Sequence, residues 1–369
     1  MFAMDNERPE VYRHQKVFLE HIGGDVKVLK DKKVIFPKSL EIHLGGKNKP
    51  CNLNCVHCEG RLFSKRVHQN KKATLKLIDI AKGKISIFVF SGTYSEPTLD
   101  PNFLDYIRRI KDNGANFGLH TNATLPTKFF EELLSLGDEN DYISISMDAC
   151  SEESFRLVKN SDGKLFKKVL ENIYYIASNN KNGVKFRLTY LLNDQNIDRK
   201  DLFSCLDNLN KYSEHIGSLR FSVPYPYYGL DWHIIEEIQE QHVDPLYEKA
   251  DKLIKEYLSS NNQISSKIIL LPPSTQDINK IKNITHCLFG YYQTTLGADG
   301  FFYQCNSVTS DKYKKLRLGE LDEDIDLDKF MAIVARNQDL DFDPRTACFP
   351  FGCRCDRPGM EFNLLGEQL

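Results

Sequence analysis

The chain lacks a surplus of either charge: its 49 Lys and Arg face 51 Asp and Glu, a formal charge of -2. No overall basic field gathers nucleic acid or anionic lipid, so neither is expected as a partner. Nor is there a run of the roughly 18 apolar residues that a membrane span requires. Met1 to Gln15 carries Asp5, Glu7, Arg8, Glu10 and Arg13 without an apolar stretch, which argues against an ordinary signal peptide. Internal repeats and long low-complexity tracts are missing as well. What the sequence does hold is ten cysteines. In a chain without a leader these are expected in the reducing cytoplasm, where clustered cysteines more often bind metal than form disulfides.

At 369 residues and 41% hydrophobic content the chain can bury one large core and a smaller one. Residues 1–37 read as an N-terminal extension, with a helix around Val17 to Ile22 and a hairpin pairing Val26 to Leu29 with Lys33 to Phe36. From residue 38 to 225, apolar strands alternate with amphipathic helices, the pattern of repeated βα units and a mainly parallel sheet. The strands are expected at Leu40 to Leu44, Ile85 to Phe90, Asn116 to His120, Tyr142 to Met147, Val184 to Leu192 and Ser218 to Val223. Between them, Phe103, Tyr106, Ile107 and Ile110, and later Phe166, Val169, Ile173 and Ile176, recur at helical spacing. Pro224 and Pro226 break the pattern. Residues 226–285 read as a connecting segment with a helix from Val243 to Leu258. Residues 286–369 read as a small α+β unit, whose hairpin turns at Asp299-Gly300.

Cys51, Cys55 and Cys58 follow the first strand, at a sheet edge where α/β enzymes build sites. Three thiolates on one loop can hold three irons of a cluster and leave a fourth open. The alternative is structural zinc, with His57 or a remote residue as fourth ligand. The loop resembles the CxxxCxxC motif of the radical S-adenosylmethionine (SAM) superfamily. That resemblance implies a partial (β/α)6 barrel, a [4Fe-4S] cluster and SAM. Reduction by a flavodoxin- or ferredoxin-type donor then cleaves SAM to methionine and a 5'-deoxyadenosyl radical.

Ser91 to Thr98 resembles, with two extra residues, the family's GGEP element. The resemblance makes Gly92, Thr93 and Glu96 SAM-binding residues, with Glu96 on the methionine ammonium; alternatively Glu96 caps the next helix. By the same resemblance Asn122, Ser146 and Asp148 line the SAM cavity, Arg187 pairs with the SAM carboxylate and Ser222 approaches adenine. Ordinary strand-end turn chemistry would also place Ser, Asn and Asp there.

Cys287, Cys305, Cys348, Cys353 and Cys355 crowd the last quarter, with Gly300 five residues before Cys305. This pattern resembles the SPASM and twitch extensions of radical SAM enzymes. It implies an auxiliary [4Fe-4S] cluster on Cys287, Cys305, Cys348 and Cys353, with Cys355 as the alternative to Cys353; zinc would fit four thiolates equally. Cys205 reads as a buried helix residue, and Cys150 as a packing residue or a hydrogen-atom donor. Tyr225, Tyr227, Tyr228 and Trp232 could stack a sugar, contact a peptide or pack between domains.

The expected reaction is oxidation or isomerisation of a small polyhydroxylated or nucleotide-linked substrate. A maturase of ribosomally made peptides is the second reading, and a noncatalytic zinc or iron-sulfur scaffold the third.

Overall fold

The computed structural model describes residues 9–58, 67, 70–223, 237–260, 262–271, 284–309, 311–344, 362–366 and 369. Six strands run parallel and side by side in chain order: β1 (Ser39–His43), β2 (Ile87–Ser91), β3 (Asn116–Thr121), β4 (Tyr142–Ser146), β5 (Lys185–Leu191) and β6 (Ser218–Ser222). The expected strands all form, each within about two residues of its reading, a normal scatter for element ends. A short β7 (Ile268–Leu270) adds to the β6 edge, also parallel.

Alternation along each strand divides the sheet into two faces. Leu40, Ile42, Phe88, Phe90, Phe117, Leu119, Ile143, Ile145, Leu188, Leu219 and Phe221 are all at most 1% exposed and join one apolar core with the helices. Those helices include α2 (Lys71–Ile80), α3 (Phe103–Asp112), α4 (Thr127–Leu136), α5 (Glu152–Lys159), α6 (Lys164–Asn179) and α7 (Arg199–Asn210). The intervening residues, Glu41, His43, Ser91, His120, Tyr142, Arg187 and Arg220 among them, therefore face the other way, into the lumen of a partial barrel. Ser151 caps α5, its hydroxyl accepting from the Ser154 N–H at 3.1 Å.

On the far edge, β8 (Gln293–Leu296) pairs parallel with β1, and β9 (Phe301–Tyr303) and β10 (Arg317–Glu320) follow antiparallel. The hairpin expected at Asp299-Gly300 forms, with Gly300 at φ +87°, where glycine avoids the Cβ penalty. It continues the barrel sheet instead of standing apart from it. The sequence gives little warning of this, because β8 is short and its four residues are all buried.

The hairpin expected over 26–36 does not form. Val26–Asp31 is instead a 3-10 turn. Asp25 accepts the Lys27 N–H at 2.8 Å, and Lys32 closes the turn in the left-handed region at φ +52°. The turn sends Val26 and Leu29 into a second core with Phe18 and Ile22 of the N-terminal helix (Pro9–Ile22), Cys287, Leu288 and Phe362. The N-terminal extension thus packs on the C-terminal region, where Phe18 stacks on Phe362 at 4.5 Å between ring centroids. Among the described residues no helix is long and apolar enough to cross a membrane.

Candidate active site at the cysteine loop

The loop carrying Cys51, Cys55 and Cys58 is held from two sides. On one side, Gly45 and Gly46 let the chain leaving β1 pass close beneath it: a Cβ on Gly45 would stand 2.7 Å from the Pro50 carbonyl oxygen. The Pro50 carbonyl accepts the N–H of Glu96 at 2.9 Å. On the other side, the Asn54 and Val56 N–H groups donate to the Lys159 and Val158 carbonyls at 3.2 and 2.9 Å. These carbonyls end α5, where the last turn of a helix leaves acceptors unused.

All three cysteines are half-buried. The Cys51 sulfur receives the Leu53 N–H at 3.4 Å and Asn122 Nδ2 at 3.8 Å, and the Cys58 thiol reaches the Thr93 carbonyl at 3.6 Å. Burial, with Glu96 nearby, pushes the Cys51 thiol up to about 12. Burial likewise lifts Cys55 to about 11 against the opposing charge of Lys159. Without metal these thiols stay protonated, so loading releases protons. Among the described residues no three His, Cys, Asp or Glu side chains converge on a single ion.

Glu96 is 3% exposed. Its Oε1 accepts from the hydroxyls of Thr98 at 2.7 Å and Thr121 at 2.6 Å, and Oε2 from the Asn122 N–H at 2.8 Å. Burial raises its pKa despite these bonds. The carboxylate caps the turn Pro97–Leu99, as the simpler reading has it, and ties that turn to the end of β3. Gly92 is required locally, since a Cβ there would overlap Ser95. Thr93 Oγ1 lies 2.7 Å from Thr309 Oγ1 and bonds the Asn306 carbonyl at 3.2 Å, reaching toward the C-terminal region. Asn122 Nδ2 also donates to Asn52 Oδ1 at 2.9 Å, next to the Cys51 sulfur.

Asp148 follows β4 in the left-handed region at φ +50°, and both its oxygens are engaged. Oδ2 stands 2.5 Å from Lys159 Nζ and Oδ1 accepts the Leu191 N–H at 2.7 Å. Lys159 also donates to the Ser146 carbonyl at 3.0 Å. The Lys159 and Asp148 side chains are 2% and 1% exposed. Burial alone would lower the Lys159 pKa, yet Asp148 and the cysteine thiols outweigh it and raise it. His57 Nε2 lies 3.7 Å from the same Asp148 oxygen. Lys159 escapes sequence reasoning because it reads as the solvated end of an amphipathic helix; the one signal is Asp148 eleven residues earlier.

In the lumen, the Arg187 guanidinium lies over the Tyr142 ring, 4.0 Å from its centroid, and His120 Nε2 stands 3.1 Å from Tyr142 Oη. The ring covers Gly118, where a Cβ would collide with it. We expect Gly118→Ala to displace the ring and lower stability by about 1–3 kcal/mol, the usual cost of overpacking, measured as a fall in the thermal midpoint. His120 is open to the lumen yet enclosed by protein. Desolvation, then Arg187, lowers its pKa to about 4, so the ring is neutral at neutral pH. Ser222, at the end of β6, accepts the Leu192 N–H through its carbonyl at 2.8 Å.

Cys150 lies elsewhere than expected of a hydrogen donor. It is 5% exposed within the helix-side core, bonded to Tyr190 Oη at 3.0 Å and beside Cys205. Packing explains it. Cys287 is buried in the second core, and Cys305 packs against the same cluster. Cys348, Cys353 and Cys355 lie outside the described residues, as do Tyr225, Tyr227, Tyr228 and Trp232.

A buried network that sequence reasoning missed joins β1 to the C-terminal region. Glu41 accepts from His43 Nε2 at 2.8 Å, from Ser91, from Gln293 Nε2 at 2.5 Å and from Asn306 Nδ2 at 3.2 Å. Burial opposes its ionisation, but His43 and Ser91 outweigh it and hold the carboxyl below its ordinary value.

Comparison with known proteins places this arrangement. The radical SAM superfamily matches residues 49–206, the span from the cysteine loop to α7. A probable GTP 3',8-cyclase of Pyrococcus abyssi is 30% identical over 116 residues, covering 31% of this chain and 37% of that protein. This chain therefore aligns with little more than a third of that relative. Among solved structures, Streptococcus suis SuiB bound to S-adenosylmethionine superposes with a TM-score of 0.56 at 13% identity, covering 96% of this chain and 75% of SuiB. The enzyme anSMEcpe with bound AdoMet and Cp18Cys peptide gives 0.54 at 16% identity, with 87% and 88% covered. At these identities the two structures speak for the fold. With the CxxxCxxC loop at the end of β1 and the parallel partial barrel behind it, residues 49–206 are a radical SAM domain.

Proposed function

We propose that this chain cleaves SAM reductively and abstracts a hydrogen atom from a small polyhydroxylated or nucleotide-linked substrate, oxidising or isomerising it. The observation that carries the reading is the docking of three half-buried thiols on the α5 end and the β2 and β3 loops, at the rim of a lumen lined with polar groups. Cys51, Cys55 and Cys58 would hold the [4Fe-4S] cluster that the family implies. When bound, it supplies the electron that breaks SAM into methionine and the 5'-deoxyadenosyl radical, after reduction by a flavodoxin- or ferredoxin-type donor. Asn122 and the Leu53 N–H bond the Cys51 sulfur, and donors of this kind tune a cluster. Glu96, Asn122 and the Ser146 to Asp148 turn would border SAM, with Arg187 and Ser222 deeper along β5 and β6. His120, Tyr142 and Arg187 offer the convergent polar contacts that a hydroxyl-rich molecule needs.

In this reading residues 38–225 are the catalytic core, 226–285 a connection, and 286–369 a twitch-like unit holding an auxiliary [4Fe-4S] cluster. Cys287 and Cys305, which share one apolar cluster, would be two of its ligands. Cys348 and either Cys353 or Cys355 would complete it. Anaerobically reconstituted protein is expected to contain about eight irons and eight sulfides per chain, four of each per cluster. About four would leave the C-terminal cysteines without a cluster.

A peptide substrate is the second reading, favoured by the fold shared with anSMEcpe, whose structure holds a peptide. To separate the two, the reduced enzyme is given unlabelled SAM and fractionated extract from cells grown in deuterated medium. The fraction that transfers deuterium into 5'-deoxyadenosine contains the substrate. Loss of transfer after phosphatase or glycosidase treatment supports the small-molecule reading, whereas loss after protease treatment replaces it with the peptide one.

A further inference from the structure

Arg220 lies on the lumen face without a carboxylate partner among the described residues. Arg220 sits on β6 between Leu219 and Phe221, both 0% exposed in the helix-side core, so its own side chain takes the lumen face. In register it pairs with Thr189 of β5, which in turn pairs with Ser146 of β4, near the strand ends where the cysteine loop lies. Among the described residues the Arg220 side chain makes no hydrogen bond and no ion pair. Arg187 stands one strand away, stacked on Tyr142, and both guanidiniums act on His120, which stays neutral. Glu41, on the lumen face of β1, belongs to the opposite wall and is already bonded by His43, Ser91, Gln293 and Asn306.

An arginine that lines a chamber with no carboxylate partner among the described residues has its planar fork available to two oxygens of one phosphate or carboxylate. We propose that Arg220 is a specificity-determining residue that seats an anionic oxygen group of the substrate, with Arg187 reinforcing the field. This rests on the lumen being the substrate chamber and narrows the substrate class to anionic molecules.

The test measures binding and needs no turnover. Equilibrium dialysis is run on the reconstituted full chain with SAM present, using inorganic pyrophosphate as the phosphate probe and succinate as the carboxylate probe. We expect at least one probe to bind, and Arg220→Gln to weaken it roughly 10- to 100-fold, the range for a charge-assisted bidentate contact. Arg220→Lys should restore part of the affinity, since it keeps the charge and loses the fork. Whichever probe depends on Arg220 names the source of the anion. The thermal midpoint of each variant guards against misfolding, and the partial recovery in Arg220→Lys separates charge recognition from a packing role. If neither probe binds the unmodified chain, or if Arg220→Gln binds both as tightly, the proposal is wrong. A chain that binds the probes in this way but forms no 5'-deoxyadenosine would retain the anion site and lose the radical reading instead.

Discussion

Cys55→Ala is expected to remove about four irons per chain and to bring 5'-deoxyadenosine formation down to the level seen without protein. The cluster in this account rests on three thiolates, and with two it loses a corner. Among the described residues of the loop, His57 is the other side chain of a metal-ligating type, and its Nε2 is turned to Asp148 at 3.7 Å. Iron and sulfide analysis after anaerobic gel filtration checks the loss, and the proposed C-terminal cluster supplies an internal comparison. The remaining four irons should stay, because Cys287 and Cys305 pack in a core separate from the one that the Cys55 loop adjoins. A variant that keeps all its iron and its activity would remove Cys55 from the cluster.

Lys159→Met lowers stability by roughly 3–5 kcal/mol, the cost of leaving a buried charge without its partner. Asp148 would retain the Leu191 N–H but lose the ammonium at 2.5 Å, at a site 1% exposed to solvent. The same change removes the contact to the Ser146 carbonyl. Because the Lys159 and Val158 carbonyls hold Asn54 and Val56, loosening this corner should also reduce iron retention. In the double variant Lys159→Met with Asp148→Asn no charge is stranded, and asparagine tolerates the left-handed backbone at that position. Most of the lost stability should return. Chemical denaturation of the four proteins measures this. A single variant within about 0.5 kcal/mol of the parent, the scale of an ordinary surface substitution, would show that the pair is not buried as described.

How much of this was legible in the sequence follows from which forces act locally. The six parallel strands and the helices around Phe103 to Ile110 and Phe166 to Ile176 were legible because each buries one periodic face. The cysteine loop was legible because spacing within a few residues is itself the chemical signal. The turn at Val26–Asp31 was misread as a hairpin. Its apolar residues answer to Phe18, Cys287 and Phe362, distant in sequence, and no local pattern reports that. Glu41 and His43 read as the polar side of a strand, and only the pairing of β8 with β1 turns that side into a buried network with Gln293 and Asn306. Cys150 reads as a packing residue or a hydrogen-atom donor, and the chain after β4 turns its thiol toward Tyr190 and Cys205 of α7, the place of a packing residue.

The most direct measurement is of 5'-deoxyadenosine. The chain is reconstituted anaerobically with iron and sulfide, reduced with dithionite and given SAM, and the products are separated by mass. The account predicts that 5'-deoxyadenosine accumulates with the iron-loaded, reduced protein and not when iron or reductant is omitted. Iron-loaded, reduced protein that yields none above a protein-free control would contradict it.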